Sequence, residues 1–215
     1  CVLITNPTQV VPVANSVIVC AISYQVADEY IIPSREQAAA ELCGELSRFA
    51  WGQDYHQVLG AKLEQIIDFL DKQAREVVAK KFVDTGPLVD RELARRAGIG
   101  WQGKNGSIIN PEYGSWIFLG EIVTDLNLKP DEPLSNQCGD CTECLDACPM
   151  GALAEPYQLN SKQCLGYLTL SKGYLKKKTR EKMGRRLWGC DTCQEVCPYN
   201  QSAQVADHLE FRPQK

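Results

Sequence analysis

Apolar and polar positions alternate in blocks along the first fifty residues, and these blocks predict two elements. The β-branched run at residues 16–24 follows a proline and an asparagine, and it predicts a buried strand. A helix is expected next, from Ser34 to Phe49, because Ser34 is a suitable N-cap and Gln37 stands three residues later. The pattern therefore predicts a strand followed by a helix.

A second helical pattern begins near residue 54. Apolar side chains between Val58 and Leu70 recur on one face at helical spacing, so a helix is expected directly after Asp54. The pattern predicts that this helix ends near Lys72.

The next block combines a strand, a carboxylate and a helix start. Residues 76–84 predict a strand that ends at Asp84, and a helix is expected from Pro87 until Gly98 ends it. Open α/β sheets place their ligands where a strand ends and a helix begins. The order of these elements therefore indicates a ligand site near Asp84.

A glycine-rich segment completes the first part of the chain. Its two β-like runs, residues 107–109 and 115–124, predict a hairpin or a sheet edge, with glycines that permit close backbone approach. Residues 126–137 contain two prolines and predict a linker. We therefore expect a mixed α/β (α+β or α/β) domain at residues 1–130 and a second domain at residues 131–215.

Composition fits a globular chain of one or two domains. The 215 residues are 44% hydrophobic and 23% charged, and no apolar run approaches a membrane span of roughly 20 residues. Cysteines kept as thiolates need a reducing compartment, so we expect a cytoplasmic protein. We also expect it to be a monomer without a membrane partner.

Basic residues are concentrated in one segment although the net charge is −4. Residues 172–186 carry eight Lys and Arg side chains against a single acidic one, Glu181. Such a run is typical of a solvated helix, and it also suits binding to phosphates. The candidate nucleic-acid contacts are Lys176, Lys177, Lys178, Arg185 and Arg186.

Two cysteine runs dominate the second part of the chain. The first has the spacing C-x2-C-x2-C-x3-C-P at residues 138–149, and the second repeats C-x2-C-x3-C-P at residues 190–198. This is the ferredoxin arrangement for iron–sulfur clusters. With Cys164 the runs contain eight cysteines, which is enough for two [4Fe–4S] clusters at four ligands each.

The spacing also predicts which cysteines share a cluster. In two-cluster ferredoxins the cysteine before the proline ligates the other cluster. We therefore expect one ligand set to be Cys138, Cys141, Cys144 and Cys197, and the other to be Cys148, Cys164, Cys190 and Cys193. Four-cysteine zinc sites and disulfides are the alternatives for paired C-x2-C motifs.

Several motifs, taken together and in order, resemble one family. They are VDTGPL at residues 83–88, RAGIGWQGKN at 96–105, GSWIFLGEI at 114–122, the first cysteine run with GAL after it, CLGYLTL at 164–170, and GCDTCQEVCPYN at 189–200. The chain resembles the epoxyqueuosine reductases, which are cobalamin-dependent iron–sulfur enzymes of tRNA modification related to reductive dehalogenases. The resemblance implies a cobalamin-binding catalytic α/β domain followed by a ferredoxin-like module with two [4Fe–4S] clusters.

The same resemblance implies the reaction. The epoxide of epoxyqueuosine in a tRNA anticodon loop is reduced to queuosine, with electrons passing from an external donor through two clusters to cobalamin. Family members usually continue into a C-terminal helical repeat domain and have residues ahead of the first strand. This chain ends at Lys215, so both ends are expected to be clipped or naturally short.

The departing oxygen needs a proton, and Asp84 is the candidate acid. The resemblance places the proton-donating aspartate in the VDTGP motif, and Asp84 also stands between a strand and a helix. An N-cap role for Asp84 is the alternative. Asp90 is a second candidate acid, although its neighbours Arg91, Arg95 and Arg96 indicate ion pairing.

Candidate cofactor contacts come from three segments. Tyr55 and His56 belong to a DYH motif that resembles a segment lining the family's active site, and neither His56 nor His208 has the sequence context of a cobalt ligand. His56 is alternatively a polar residue in the first turn of a helix. The remaining candidates for contact with the corrin are Trp101, Gln102, Gly103, Lys104, Asn105, Ser115 and Trp116, whose aromatic members are equally suited to a core.

Two other functions compete with tRNA epoxide reduction. One is a corrinoid reductase of small molecules, similar to a dehalogenase, which would need no basic face for phosphates. The other is a non-catalytic electron carrier, which would not need the domain of about 130 residues ahead of the cysteines.

Overall fold

The computed structural model describes residues 6–27, 43–74, 76–206 and 208–213. The strands are β1 Ser16–Ser23, β2 Glu45–Leu46, β3 Ala79–Phe82, β4 Trp101–Gln102, β5 Ile108–Ile109, β6 Ile117–Thr124 and β7 Arg186–Trp188. The helices are α1 Tyr55–Gln73, α2 Asp90–Arg96, α3 Glu143–Asp146, α4 Leu165–Leu170, α5 Lys177–Met183, α6 Thr192–Glu195 and α7 Pro198–Gln201. Short 3-10 helices occupy Pro7–Gln9, Arg48–Ala50 and Leu209–Phe211.

A three-stranded sheet with the order β1-β6-β3 organises the first part of the chain. Both of its strand pairs are antiparallel, so among the described residues this sheet belongs to a mixed α+β arrangement and differs from the parallel sheet that the strand–carboxylate–helix order suggested. The hairpin prediction was wrong, because β6 is the central strand and β5 pairs with β4 instead. The predicted strand at residues 16–24 is confirmed as β1. Only its last two residues are buried, because β1 pairs on one side with β6 alone among the described strands.

Helix α1 covers one face of this sheet, as the helical spacing predicted. Asp54 caps the helix by accepting a hydrogen bond from the His56 amide, with N and Oδ1 2.9 Å apart. The apolar face of α1 packs on the sheet through Leu59 and Leu63, which meet Ile122. This packing fixes the first turn of α1, and with it the DYH motif, beside the end of β3.

Helix α2 lies on the opposite face. It begins at Asp90, three residues later than predicted, because Leu88 is buried against Val123 and Val89 is the N-cap, with a backbone that is not yet helical. The arginine pairing predicted for Asp90 was also wrong. Within the described residues Arg95 and Arg96 pair with Glu92, at 2.8 and 2.7 Å.

The predicted helix of residues 34–49 falls partly outside the described residues, because residues 28–42 are not described. Its C-terminal part was wrong. Glu45 and Leu46 form β2, which pairs in parallel with β7 about 140 residues later, and a 3-10 turn follows. A pairing between distant strands therefore overrides the local preference for a helix.

The second part of the chain consists of short helices connected by turns. Helices α3, α6 and α7 are four residues long. Helix α3 lies within the first cysteine run and α6 within the second, and these two helices contact each other. No helix in the described ranges is long and apolar enough to cross a membrane.

Candidate functional site

The first predicted ligand set surrounds one cavity. Cys138, Cys141, Cys144 and Cys197 all line a space of about 160 Å³, together with Lys104, Tyr199 and their neighbours. Cys197 comes from the second cysteine run and the other three come from the first, so the fold brings the two runs together as the spacing predicted. The cavity and its four thiols suit a cluster that takes one thiolate per iron.

Electrostatics identify the same neighbours. Burial, followed by the charges of the nearby Cys197, Cys138 and Cys141, raises the pKa of the Cys144 thiol to about 11. Four thiols crowded in a poorly solvated site give up their protons most readily when iron binds, because the positive charge of the iron compensates the thiolates.

The thiols of the second set also lie near one another. The pKa of the Cys193 thiol is raised to about 12. Burial is the largest cause, and the charges of Cys190, Cys164, Cys144 and Cys148 add to it. Cys144 belongs to the first set, so the two sets are neighbours. In the described residues no group of three or more His, Cys, Asp or Glu side chains is arranged to hold a single metal ion.

Backbone and hydroxyl groups also reach the second set. The Ala152 amide donates a hydrogen bond to Cys148 Sγ at 3.2 Å, and Thr192 Oγ1 lies 3.4 Å from Cys190 Sγ. Hydrogen bonds to cluster sulfurs shift reduction potentials, so these groups are suited to tune the second site.

The structure places the segment at residues 101–105, predicted to contact the corrin, against the cysteine module. Lys104 Nζ donates to the carbonyl oxygens of Gly139 and Cys141, at 2.6 and 2.9 Å. Asn105 Nδ2 donates to the Cys193 carbonyl at 3.4 Å. These two side chains therefore hold the cysteine module on the sheet domain.

The other residues of this segment make similar contacts. Trp101 is 1% exposed and its ring meets that of Tyr199 edge-on, with 4.8 Å between centroids. The Gln102 carbonyl accepts a hydrogen bond from Asn136 Nδ2 at 2.7 Å, and Gly103 is buried. In this group only Gln102 and Lys104 keep partly exposed surface, and contact of the segment with cobalamin stays a prediction.

Ser115 and Trp116 form a second connection. Ser115 Oγ donates to Gln194 Oε1 and accepts from Asn200 Nδ2, both at 2.8 Å, and Asn200 Oδ1 accepts from the Ser115 amide. Trp116 is 1% exposed and lies under the Arg48 guanidinium, 4.8 Å from the ring centroid. Both residues are core and interface groups here, and their contact with a corrin also stays a prediction.

The predicted acid Asp84 lies beside the DYH motif. Tyr55 Oη donates a hydrogen bond to Asp84 Oδ2 at 2.7 Å, and His56 Nε2 is 3.6 Å from the same oxygen. Asp54 Oδ1 is 2.7 Å from His56 Nδ1 and so orients the imidazole. The Asp84 side chain is 60% exposed, so a ligand from solvent reaches it directly.

Ring stacking and an uncommon backbone conformation position Tyr55, His56 and Asp84. The Tyr55 ring stacks on Phe118 at 4.2 Å and on His56 at 4.1 Å. Burial raises the pKa of the Tyr55 hydroxyl, and its hydrogen bond to Asp84 raises it further, so Tyr55 is a hydrogen-bond donor at neutral pH. Asp84 has φ = 50°, a left-handed conformation that is uncommon outside glycine and is typical of functional sites. The polar groups of Asp84, Tyr55 and His56 fit a ligand on this side of the sheet.

Two further carboxyl groups lie behind Asp84, and the sequence analysis missed one of them. Asp90 is partly buried, and burial followed by the charge of Asp84 raises its pKa to about 6. Glu121 is fully buried, and burial followed by the charges of Asp90 and Asp84 raises its pKa to about 8. A glutamate in the otherwise apolar run at residues 117–123 was the signal that could have identified it.

The predicted nucleic-acid residues fall into two groups. Lys176, Lys177 and Lys178 are exposed at the start of α5, where Lys177 lies 3.9 Å from Glu181. Arg185 instead pairs with Glu45 at 3.2 Å, which connects it to β2. Arg186 is the first residue of β7 and its Nη1 donates to the Met183 carbonyl at 3.4 Å.

Two family models match the chain. Residues 5–85 match the model described as "Epoxyqueuosine reductase QueG, DUF1730", and residues 137–200 match the "4Fe-4S double cluster binding domain". The second match covers all eight predicted cluster ligands.

Curated relatives align along nearly the whole chain. The epoxyqueuosine reductase of Bacillus cereus is 44% identical over 214 residues, which is 97% of this chain and 54% of that protein. The epoxyqueuosine reductase of Synechocystis sp. is 40% identical over 211 residues, which is 97% of this chain and 71% of that protein. The chain thus spans about half the length of the Bacillus relative and a larger share of the Synechocystis one.

Solved structures agree with these relatives. A crystal structure of epoxyqueuosine reductase with an epoxyqueuosine-modified tRNA-Tyr stem loop has a TM-score of 0.90 and 44% identity, over 97% of this chain and 55% of that one. The catabolic reductive dehalogenase NpRdhA has a TM-score of 0.55 at 18% identity, over 91% of this chain and 26% of that one, which shows a shared fold alone. Because the match to the Synechocystis protein extends over most of both chains, this chain belongs to the epoxyqueuosine reductase family.

Proposed function

We propose that this chain reduces the epoxide of epoxyqueuosine in tRNA to the alkene of queuosine. The observation that carries the proposal is Asp84, an exposed carboxyl group held by Tyr55 and His56 in a domain that also contacts two sets of four thiols. An acid beside an electron-transfer module is what reductive opening of an epoxide requires. A relative of 44% identity has been crystallised with a stem loop that carries this substrate.

Removal of the epoxide oxygen as water consumes two electrons and two protons. When bound, the two [4Fe–4S] clusters supply single electrons and cobalamin supplies low-valent cobalt. The two cysteine sets would hold the clusters, and the exposed side of Asp84, Tyr55 and His56 would face the corrin and the substrate. The reaction also needs an external electron donor and a reducing compartment, so we place it in the cytoplasm, with the protein as a monomer.

Asp84 would protonate the oxygen as the carbon–oxygen bond breaks. Its Oδ2 already accepts a hydrogen bond from Tyr55, so Oδ1 is the atom left to carry the transferred proton. His56 Nε2 is inaccessible to solvent and makes no hydrogen bond within the described part of the chain, although it lies 3.6 Å from Asp84. With Asp54 holding its other nitrogen, His56 is placed to return a proton to Asp84 after turnover.

The exposed lysines of α5 would contact the tRNA backbone. Lys176, Lys177 and Lys178 lie on a segment that begins shortly after Cys164 and returns to Cys190, so it stays close to the cysteine sets. Arg185 and Arg186 would contribute less, because both already have partners in the described structure.

The test is a single-turnover assay of the anaerobically reconstituted chain, with clusters and cobalamin loaded, on an epoxyqueuosine-modified anticodon stem loop. Queuosine should appear by mass spectrometry in an amount near one per chain. Dehalogenation of a small bromophenol without any reaction on the stem loop would favour the small-molecule reductase. Cluster oxidation without conversion of either substrate would favour the electron carrier.

A further inference from the structure

Lys104 is a cation that the fold places beside the four thiols of the first cysteine set. It lines the same cavity as these thiols. Its Nζ donates hydrogen bonds to the carbonyl oxygens of Gly139 and Cys141, at 2.6 and 2.9 Å, so it is fixed on the loop of the first cysteine run. It donates to no carboxylate, unlike the lysines that pair with Glu side chains elsewhere in the described ranges. No ion pair within these ranges therefore compensates its charge.

The backbone around Lys104 forms a tight turn that holds the side chain in place. The Gly106 amide donates to the Gly103 carbonyl at 2.9 Å, and the Lys104 carbonyl accepts from the Tyr157 amide at 2.9 Å. Gly103 packs directly on β5, because a Cβ at this position would lie 2.6 Å from the Ile109 side chain. The ammonium group is thus held at the cavity wall by hydrogen bonds of both its backbone and its side chain.

The two cysteine sets have different charges around them. Glu143 also lines the first cavity, but its side chain is exposed and solvent screens its charge. Beside the second set, Asp191 lies inside the C-x2-C pair and accepts hydrogen bonds from Ser47 Oγ and the Arg48 amide, at 2.5 and 2.7 Å. The Arg48 guanidinium offsets the Asp191 carboxylate in part. The first set therefore faces a cation without an acidic partner, whereas the second set lies beside a carboxylate with a basic one.

We propose that Lys104 sets the reduction potential of the first cluster above that of the second, so that a single electron in the cysteine module resides mainly on the first cluster. A four-iron cluster with four thiolates is an anion, and it gains one more negative charge with the electron that it accepts from a donor. A fixed positive charge stabilises this reduced form, because the potential depends on the net charge around the cluster. Lys104 is a positioning residue, since it acts on the potential without ligating iron. The proposal rests on the clusters of the proposed function and not on its epoxide chemistry, so the two can fail separately.

A redox titration followed by electron paramagnetic resonance tests the proposal without substrate. The anaerobically reconstituted chain, with dithionite as the electron source, should show two separate one-electron waves. Lys104→Gln removes the charge and keeps a hydrogen-bond donor. In this variant the wave at higher potential should move to lower potential. At the wild-type midpoint the ratio of reduced to oxidised cluster should fall about tenfold or more, and tenfold is about 59 mV for one electron. The other wave should stay in place, with iron still at about eight per chain.

Three further variants separate the charge of Lys104 from its structural contacts. Lys104→Arg keeps the charge and should keep both waves near their wild-type potentials. Lys129→Gln removes the same charge from the exposed linker and should move neither wave. Thr192→Val removes the hydroxyl group that lies 3.4 Å from Cys190 Sγ in the second set. It should move the lower wave alone, which identifies that wave as the second cluster.

The proposal is overturned if Lys104→Gln leaves the upper wave in place, or if it moves the same wave as Thr192→Val. An equal shift in Lys104→Arg would also overturn it, because the effect would then come from the contacts and not from the charge. Should Lys104→Gln not fold, wild type and Thr192→Val decide: a single wave, or an upper wave that Thr192→Val moves, rejects the proposal. If the waves behave as expected and no stem loop is converted, the proposed function fails and the role of Lys104 stands.

Discussion

The cysteine module and the carboxyl site of the sheet domain are assembled in opposite ways. The first cysteine set draws three members from one run and Cys197 from the other. The second set combines two members of the second run with Cys148 of the first run and with Cys164. The carboxyl site draws Tyr55, Asp84 and Glu121 from a helix, a loop and a strand. Ligation by local spacing is visible in a sequence, whereas a site built by packing appears only with the fold.

The two regions respond to burial in different ways. Desolvation raises the pKa of Cys144 and Cys193, and bound iron would remove that difficulty by replacing the protons. Desolvation also raises the pKa of Glu121, but no cation is near this group in the described residues, so the proton stays. The cysteine module is therefore suited to bind iron and transfer electrons, and the carboxyl site of the sheet domain is suited to hold a proton. Variants that damage one function and leave the other intact test this division.

The largest expected effect is the loss of one whole cluster. Cys197→Ser should reduce anaerobically measured iron from about eight to about four per chain, because the first set loses one of its four thiolates. Cys20→Ala, a change in β1 away from both sets, should keep about eight. Loss of all iron in Cys197→Ser would show that the two sets do not bind independently, and zinc in place of iron would reject the clusters.

The second effect is on the connection between the two regions. Ser115→Ala leaves Asn200 Nδ2 and Gln194 Oε1 without their buried partner, which should cost about 1–3 kcal/mol in the free energy of unfolding. Urea denaturation of the reconstituted protein measures this. Ser202→Ala, at an exposed position, should change the same quantity by less than about 0.5 kcal/mol. Equal effects of the two variants would contradict a structural role for the Ser115 network.

A smaller effect should follow from removing the donor beside the acid. Tyr55→Phe loses the hydrogen bond to Asp84 and keeps the stacked ring, so the single-turnover rate should fall by up to about tenfold. Cluster and cobalamin content should not change. Tyr157→Phe, at an exposed position, serves as the control. A rate equal to that of wild type would mean that Tyr55 does not position Asp84 during turnover.

The smallest effect concerns tRNA affinity. Replacing Lys176, Lys177 and Lys178 with Ala should reduce the log–log salt slope of stem-loop binding by about two if all three contact phosphates, at roughly 0.7 each. Lys129→Ala in the exposed linker should leave the slope unchanged. Unchanged affinity and slope in the triple variant would make the segment a solvated helix.

The sequence predicted the local features well. Both ends of helix α1 were predicted within one residue, because amphipathic spacing acts over short distances. The gathering of Cys138, Cys141, Cys144 and Cys197 around one cavity was predicted because ferredoxin spacing restricts which thiols can meet.

Features decided by distant contacts were not predictable in the same way. The central position of β6 depends on pairing with β1 and β3, and β2 exists only because β7 lies beside it. The contacts of Trp101 and Lys104 with the cysteine module were not predicted, because a glycine-rich turn permits close approach to backbone as readily as to a ligand. Glu121 acquires its character from the burial of the whole strand.

The most direct test of the division between electron and proton supply is Asp84→Asn in the reconstituted protein. We expect full iron and cobalamin content, normal stem-loop binding, and a single-turnover rate lower by about 10²–10⁴-fold, because an amide cannot donate the proton. Asp90→Asn should be less severe, since Asp90 is partly buried behind Asp84. A near wild-type rate in Asp84→Asn, with the large loss in Asp90→Asn instead, would contradict the assignment and move the acid into α2.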